Sequence, residues 1–260
     1  MKKNLSFPKK KLNWYKSYLI LLLFSLFIGC KKPNERSCFK SSGKIVTKTL
    51  VQGDFTNLIL HPFVEYELMP DSINYVEITC GENLFPFIDV QVQDSALTIT
   101  NNNTCRFLRG YDKNVKAKIH INLLYNIYYD GTNNVYSDDT IKASYCTIKM
   151  REAGGDMNLN LKCKELYVTK SNSTGLLVLK GRTNKARYEN TSINKFDVSQ
   201  LVVRDSIFFL NQGYGDMYLY TNLIDVFGRI ENQGNVYYFG QPALTQIEEK
   251  GKGKFIEFSK

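Results

Sequence analysis

Apolar and polar residues alternate in short segments throughout the second half of the chain. A Gly or Asn recurs there every 19 to 21 positions, and the recurring residues are Asn134, Gly155, Gly175, Asn194, Gly215 and Gly234. Polar residues separate large apolar residues that follow most of these anchors two and four positions later. Such a period of two is typical of a strand with one buried face. We interpret the anchors as corners, because Gly and Asn tolerate a left-handed backbone.

Two apolar sets follow from these anchors. The first set is Tyr136, Met157, Leu177, Phe196, Met217 and Val236. The second set is Leu159, Leu179, Val198, Leu219 and Tyr238, and only Asp138 breaks it. Further short strands are predicted in the same turns, at residues 165–168, 201–203 and 223–226.

A repeat near twenty residues with two or three short strands per turn predicts an all-β fold, a parallel β-helix or β-solenoid. In such a fold each turn, or rung, buries its apolar row only against neighbouring rungs. A β-sandwich with evenly spaced turns is the alternative. Residues 44–130 are also rich in strand patterns but less regular, so the pattern allows them either to join the solenoid or to cap it. No low-complexity linker divides the halves, which favours one continuous domain.

The first thirty residues have the pattern of an export signal. Six lysines precede position 30, and an apolar run of about eleven residues, 18–28, is too short to cross a bilayer, which takes about twenty. The segment Phe27-Ile28-Gly29-Cys30 resembles a lipobox, the site at which lipoprotein signal peptidase cleaves. We predict a signal peptide over 1–29, a lipidated Cys30 that attaches the chain to the membrane, a tether over 30–43 and a domain over 44–260.

The position of the charge argues against a nucleic-acid partner. Removing the six lysines of the signal segment lowers the net charge from +9 to +3, and no basic helix stands out in the remainder. The residue after Cys30 is Lys31, whereas an Asp at this position would retain a lipoprotein at the inner membrane. Lys31 therefore favours the outer membrane and leaves either leaflet open. The chain is therefore expected to be an exported outer-membrane lipoprotein.

The remaining cysteines fit an exported chain without fixing their pairing. Cys80 and Cys105 close consecutive predicted strands, so a disulfide between them is predicted, whereas Cys146 and Cys163 are interpreted as small core residues. His61 and His120 are isolated and no C-x-x-C pair occurs, so no metal site is expected.

The beginning and the end of the domain resemble the head GIN domain family. The opening resemblance lies in residues 53–58, 76–78, 81–84 and 94–99, and the closing pattern comprises Tyr238, Gly240, Pro242, Gly251 and Gly253. The resemblance covers about residues 44–260. It implies a right-handed β-helical fold, an exported Bacteroidetes lipoprotein and an adhesin-type role, and it supplies no catalytic residues.

The motif search favours a binding or structural module over an enzyme. No G-x-S-x-G or phosphate-binding glycine motif occurs, and no catalytic residue or cofactor is predicted. Outward Tyr218 and Tyr220, with Tyr237 one rung on, predict an aromatic ladder that contacts a glycan or an envelope protein.

Two other functions remain open from the sequence. A carbohydrate-active enzyme of the polysaccharide-lyase type would use Asp130, Asp138 and Asp139 with Arg151 or Lys149 as the base. A scaffold would act through self-association, because the ends of a solenoid present open strand edges unless they are capped.

Overall fold

The computed structural model describes residues 41–50, 53–104 and 115–258. The described strands belong to one compact unit, Ser42–Lys260. Within these residues there is no α-helix, only a 3-10 turn at Phe85–Phe87, and no helix that is long and apolar enough to span a membrane. The strands are β1 (Ile45–Leu50), β2 (Asn57–Leu60), β3 (Val64–Pro70), β4 (Tyr75–Gly81), β5 (Ile88–Gln93), β6 (Ala96–Asn101), β7 (Val115–Ile121), β8 (Asn126–Tyr129), β9 (Val135–Tyr136), β10 (Ile141–Lys142), β11 (Tyr145–Arg151), β12 (Met157–Lys162), β13 (Glu165–Ser171), β14 (Leu177–Asn190), β15 (Phe196–Asn211), β16 (Met217–Tyr220), β17 (Asp225–Ile230), β18 (Val236–Phe239), β19 (Leu244–Glu249) and β20 (Phe255–Glu257).

Parallel strands stack in two long ladders from β8 onward. One ladder runs through β8, β11, β13, the second half of β14, the second half of β15, β17 and β19. The other runs through β9, β12, the first half of β14, the first half of β15, β16, β18 and β20. Each turn of chain supplies one strand to each ladder, which makes a β-solenoid of about seven turns. The predicted all-β solenoid is confirmed.

The first half of the chain both joins the solenoid and caps it. Strands β2 and β3 form a rung that pairs in parallel with β8 and β9 on one side. On the other side the same rung pairs with β6 and β7, which come later in the chain. Antiparallel strands complete this end, with β4 beside β7, β1 beside β4 and β5 beside β6.

The opposite end is the rung formed by β19 and β20. Glu249 pairs in register with buried Ile230, so a carboxylate stands at the position that an apolar side chain fills one rung earlier. This carboxylate accepts a hydrogen bond from the Phe255 amide at 2.8 Å and pairs with Lys254 at 2.8 Å. Charged side chains on an edge strand disfavour pairing with another chain.

Stacked apolar side chains fill the interior. Met157, Leu177, Phe196, Met217 and Val236 follow one another in register and are fully buried. The second column, Leu159, Leu179, Val198 and Leu219, is buried as well. Most of both predicted apolar sets is therefore confirmed.

The prediction that Tyr136 faces the core is wrong. Val135 is the residue that pairs with Met157, because this rung spans 22 residues and the anchor at Asn134 selects a position one residue too late. Tyr136 is half-buried, and its hydroxyl donates to the Glu67 carboxylate at 3.4 Å. Ser137, rather than exposed Asp138, is buried there, and its Oγ accepts a hydrogen bond from the Asn160 amide at 2.9 Å.

The reason given for the corner glycines is also wrong. In the described chain the glycines with positive φ are Gly43, Gly53, Gly181 and Gly240, and none of these is an anchor. A Cβ on Gly155 would instead overlap the carbonyl oxygen of Asn133, and a Cβ on Gly175 would overlap that of Gly155. The corners need glycine because successive rungs pack backbone against backbone there.

Buried polar side chains satisfy the backbone near these corners. Asn190 donates to the Oδ1 of Asn211 at 2.9 Å, and Asn211 donates to the Gly234 carbonyl at 2.9 Å. One rung before Asn190, the fully buried Lys170 donates through Nζ to the carbonyls of Asn194 and Lys195, both at 2.9 Å. Burial lowers the pKa of Lys170 to about 8. These hydrogen bonds stabilise a corner that would otherwise bury unpaired carbonyl groups.

Two adjacent glycines provide a test of backbone stacking. We expect Gly155→Ala to lower the free energy of unfolding by about 1–3 kcal/mol, because its Cβ meets backbone atoms that cannot move aside. Gly154→Ala is the matched control, since a Cβ there lies 3.9 Å or more from its neighbours, and it should change stability by less than about 0.5 kcal/mol. Thermal and urea unfolding of both variants check this. Equal destabilisation by the two substitutions would contradict the stacked-corner explanation.

Candidate binding surface

The predicted tyrosine positions lie on β16 and β18, which pair in register. Alternate residues of β16 face opposite sides, so Met217 and Leu219 are buried while Tyr218 and Tyr220 project outward and remain half-exposed. Tyr218 is paired with Tyr237 on the next rung, and their rings stack with centroids 5.1 Å apart and planes at 22°. The structure therefore brings Tyr218 and Tyr237 together. Tyr220 lies two residues along the strand, opposite Phe239.

Two phenylalanines that the sequence analysis missed extend this surface. The ring of Phe258 lies edge-on to Tyr218 and Tyr237, with centroids 6.4 and 5.8 Å away, and it contacts Phe239 at 5.0 Å. Phe258 is 43% exposed. Tyr220, Phe239 and Phe258 follow one another at intervals of 19 residues, and this spacing is the sequence signal that could have revealed both phenylalanines. We call Tyr218, Tyr220, Tyr237, Phe239 and Phe258 the aromatic ladder.

A cation and a carboxylate border the ladder on the preceding rung. The Nζ of Lys195 lies 4.2 Å from the Tyr218 ring centroid and 2.7 Å from Asp197 Oδ2. Burial opposes ionisation of Asp197, but hydrogen bonds from Lys195 and Ser199 hold its pKa below the usual value. Partial burial and nearby Asp216 raise the pKa of Tyr218, so its hydroxyl stays protonated. The ladder thus offers flat ring faces, hydroxyl groups and one fixed ion pair.

A second aromatic pair lies on the outward face of the other strand ladder. Phe208 and Phe227 are paired in register and stack at 4.9 Å, and Phe208 is 50% exposed. They line an open groove of about 560 Å³ with two ion pairs along it. These pairs are Arg187 with Glu189 at 3.1 Å and Arg229 with Glu248 at 3.0 Å. Exposed aromatic rings therefore occur on both broad faces of the last rungs.

Asp130 and Arg151, which the lyase alternative would use together, each contact another residue. Asp130 is hydrogen-bonded to His61 at 3.1 Å, and Arg151 pairs with Glu152 at 3.4 Å. Asp138 and Asp139 are exposed. Across the described ranges no three His, Cys, Asp or Glu side chains are arranged to hold a metal ion. Within the described residues no salt bridge joins Asp130, Asp138 or Asp139 to Arg151 or Lys149.

His120 makes contacts that its isolated place in the sequence did not reveal. Its Nδ1 lies 2.9 Å from Asp71 Oδ2, and its ring stacks on Tyr75 at 3.8 Å. The hydrogen bonds to Asp71 from the Ser72 amide and from His120 hold the pKa of that carboxyl below its usual value. These contacts join β4 and β7 within the antiparallel cap.

The cysteine predictions are only partly within the described chain. Cys146 and Cys163 are buried free thiols, which confirms their interpretation as core residues, and burial raises the pKa of both. Cys80 is also a buried thiol, and its pKa is raised by burial to about 11. Cys30 and Cys105 lie outside the described residues, so lipidation and the Cys80–Cys105 disulfide stay predictions.

A model of a known protein family matches most of the solenoid. A family profile described as "putative auto-transporter adhesin, head GIN domain" matches residues 54–242. No curated protein matches the sequence at a significant level.

Solved structures of similar fold cover more than four fifths of the chain. A putative adhesin from Bacteroides fragilis NCTC 9343 is similar with a TM-score of 0.75 and 18% identity, over 83% of this chain and 97% of that one. A putative lipid binding protein from Parabacteroides distasonis ATCC 8503 has a TM-score of 0.58 and 17% identity, over 84% and 98% of the two chains. A putative adhesin from Parabacteroides merdae ATCC 43184 has a TM-score of 0.53 and 20% identity, over 83% and 98%. At these identities the likeness shows the fold alone.

Proposed function

This chain belongs to the family described as "putative auto-transporter adhesin, head GIN domain", and from this we propose that it is an exported, lipid-anchored adhesion module without enzymatic activity. Its ligand would be a glycan or an envelope protein bound at the aromatic ladder. The stacked, outward pair of Tyr218 and Tyr237 is the observation that carries the proposal.

The fold does not need the outward rings for its core. The inward columns beneath the ladder, which include Met217, Leu219 and Val236, are already fully buried. Tyrosine is enriched at binding interfaces because it offers a large rigid contact area with only two rotatable side-chain bonds, together with a polar hydroxyl. A ladder of such rings on a stiff sheet loses little conformational entropy on binding.

The lipid anchor rests on the sequence around Cys30. The basic segment, the short apolar run and the Phe27-Ile28-Gly29-Cys30 pattern support cleavage before Cys30 and lipidation of its thiol. A tether over 30–43 would then hold the solenoid away from the outer membrane. Stable attachment takes more than one lipid chain, which a diacylated cysteine provides.

Paired tyrosine substitutions test the ladder. We expect Tyr218→Ala with Tyr237→Ala to weaken binding to any ligand found on a glycan array or in an envelope-protein screen by about tenfold or more, because both ring faces are lost. The matched control is Tyr145→Ala with Tyr214→Ala, which removes two tyrosines that are 58% and 59% exposed elsewhere. An equal loss in the control, or no ligand for the native protein in either screen, would contradict an adhesion role at this surface.

Metabolic labelling with a radioactive fatty acid tests the anchor. The native full-length chain should be labelled and sediment with outer membranes, whereas Cys30→Ser should be unlabelled because the acylated thiol is absent. Cys38→Ser, which removes a nearby thiol, should remain labelled. Labelling that persists in Cys30→Ser would place the lipid on another residue, and an unlabelled native chain would contradict the lipid anchor.

A further inference from the structure

Cations from three successive rungs form a column on the edge of the solenoid that contains β10. Lys142, Lys162 and Arg182 are paired in register, and all three are exposed. Lys164 and Arg204 are also exposed and line a cavity together with the column. We call these five residues the basic ladder. Their spacing of twenty residues, from 142 through 162 to 182, hides the cluster in the linear sequence.

None of the five cations is ion-paired within the described part of the chain. The nearest acidic residues in sequence do not neutralise them. Asp205 follows Arg204 but pairs with Lys185 at 3.5 Å, and Glu165 follows Lys164 without forming a salt bridge. The basic ladder therefore concentrates positive charge that no salt bridge among the described residues neutralises.

Elsewhere the solenoid pairs opposite charges across rungs. Glu65 and Glu67 face Lys116 and Lys118 in register, each pair with a distance of 3.1 Å, and Arg229 meets Glu248 at 3.0 Å. Neighbouring strands lie about 4.8 Å apart, and like charges directly opposite each other destabilise a sheet. A column of three cations therefore costs stability, and no salt bridge within the described protein offsets that cost.

The surface around the basic ladder is concave, and its polar side chains can form hydrogen bonds. A groove of about 560 Å³ is lined by Thr140, Asn160 and four cations of the ladder, and an adjoining cavity of about 330 Å³ adds Lys164 and Asn184. Among the described residues, no aromatic side chain lines either one. Such a site can bind anionic groups and neutral hydroxyls but lacks the rings on which nucleic-acid bases stack.

We propose that the basic ladder binds a linear acidic polysaccharide, whose carboxylate or sulfate groups meet the cations of the column. The rung spacing of about 4.8 Å is close to the length of one sugar ring in an extended glycan. Successive rings are turned about the chain axis, so anionic groups on one side recur every second ring, in step with every second rung of the column. Arg182 can hold a carboxylate with two parallel hydrogen bonds. This site is separate from the aromatic ladder and does not depend on a ligand there.

Binding of polygalacturonate to the full chain tests the proposal. We expect binding that weakens as salt is raised and that falls about tenfold or more in Lys142→Gln with Lys162→Gln and Arg182→Gln. The control, Lys44→Gln with Lys48→Gln and Lys252→Gln, removes the same charge from exposed positions off the ladder and should bind like the native chain. Tyr218→Ala with Tyr237→Ala should also bind polygalacturonate normally.

Thermal unfolding of the same variants separates binding from folding. The ladder variant should unfold at the same or a higher temperature than the native chain, because it relieves repulsion between like charges. A lower unfolding temperature would assign the cations a structural role and overturn the proposal. So would a failure of the native chain to bind polygalacturonate, equal weakening in the control, equal binding of neutral dextran, or tighter binding of duplex DNA than of polygalacturonate.

Discussion

The stacking of each rung against its neighbours in strict register is the constraint on which the rest of this structure depends. A single rung has a few short strands and cannot bury its apolar side chains alone. Met157 is buried because Val135 and Leu177 lie above and below it in the same column. A slip by one residue would turn every apolar side chain outward, so register and core are fixed together. Corners such as Gly155 keep the register because their backbones pack without an intervening Cβ.

The same register organises the outer surface into columns. Residues about twenty positions apart become neighbours, so a repeated residue type becomes a continuous strip. Tyr218 and Tyr237 form an aromatic strip in this way, and Lys142, Lys162 and Arg182 form a cationic one. The inner columns provide stability, which leaves the outer columns free to vary. In an adhesion module, the ligand would bind along these strips rather than in a single enclosed pocket.

Sequence reasoning recovered the features that depend on local alternation and lost those that depend on rung length or chain order. The solenoid and the pairing of Tyr218 with Tyr237 followed from the period alone. The orientation of Tyr136 did not, because one rung is longer than the others and shifts the column by a residue. The placement of β6 and β7 outside β2 and β3 reverses the order of the chain, which no periodic pattern encodes. The basic ladder is not visible as a cluster in the linear sequence, because its column residues lie twenty positions apart and become neighbours only when the rungs stack.

Engineered cysteine pairs on an outward column test the register most directly. Asn158 and Val178 are paired in register, and adjacent strands about 4.8 Å apart lie within the range that a disulfide can bridge. The diagonal partner Lys180 lies about 7–8 Å away, beyond that range. The account predicts that Asn158→Cys with Val178→Cys forms a disulfide under mild oxidation, while Asn158→Cys with Lys180→Cys stays reduced. A disulfide only in the second variant would contradict the register, and with it the columns from which the proposed binding surfaces are built.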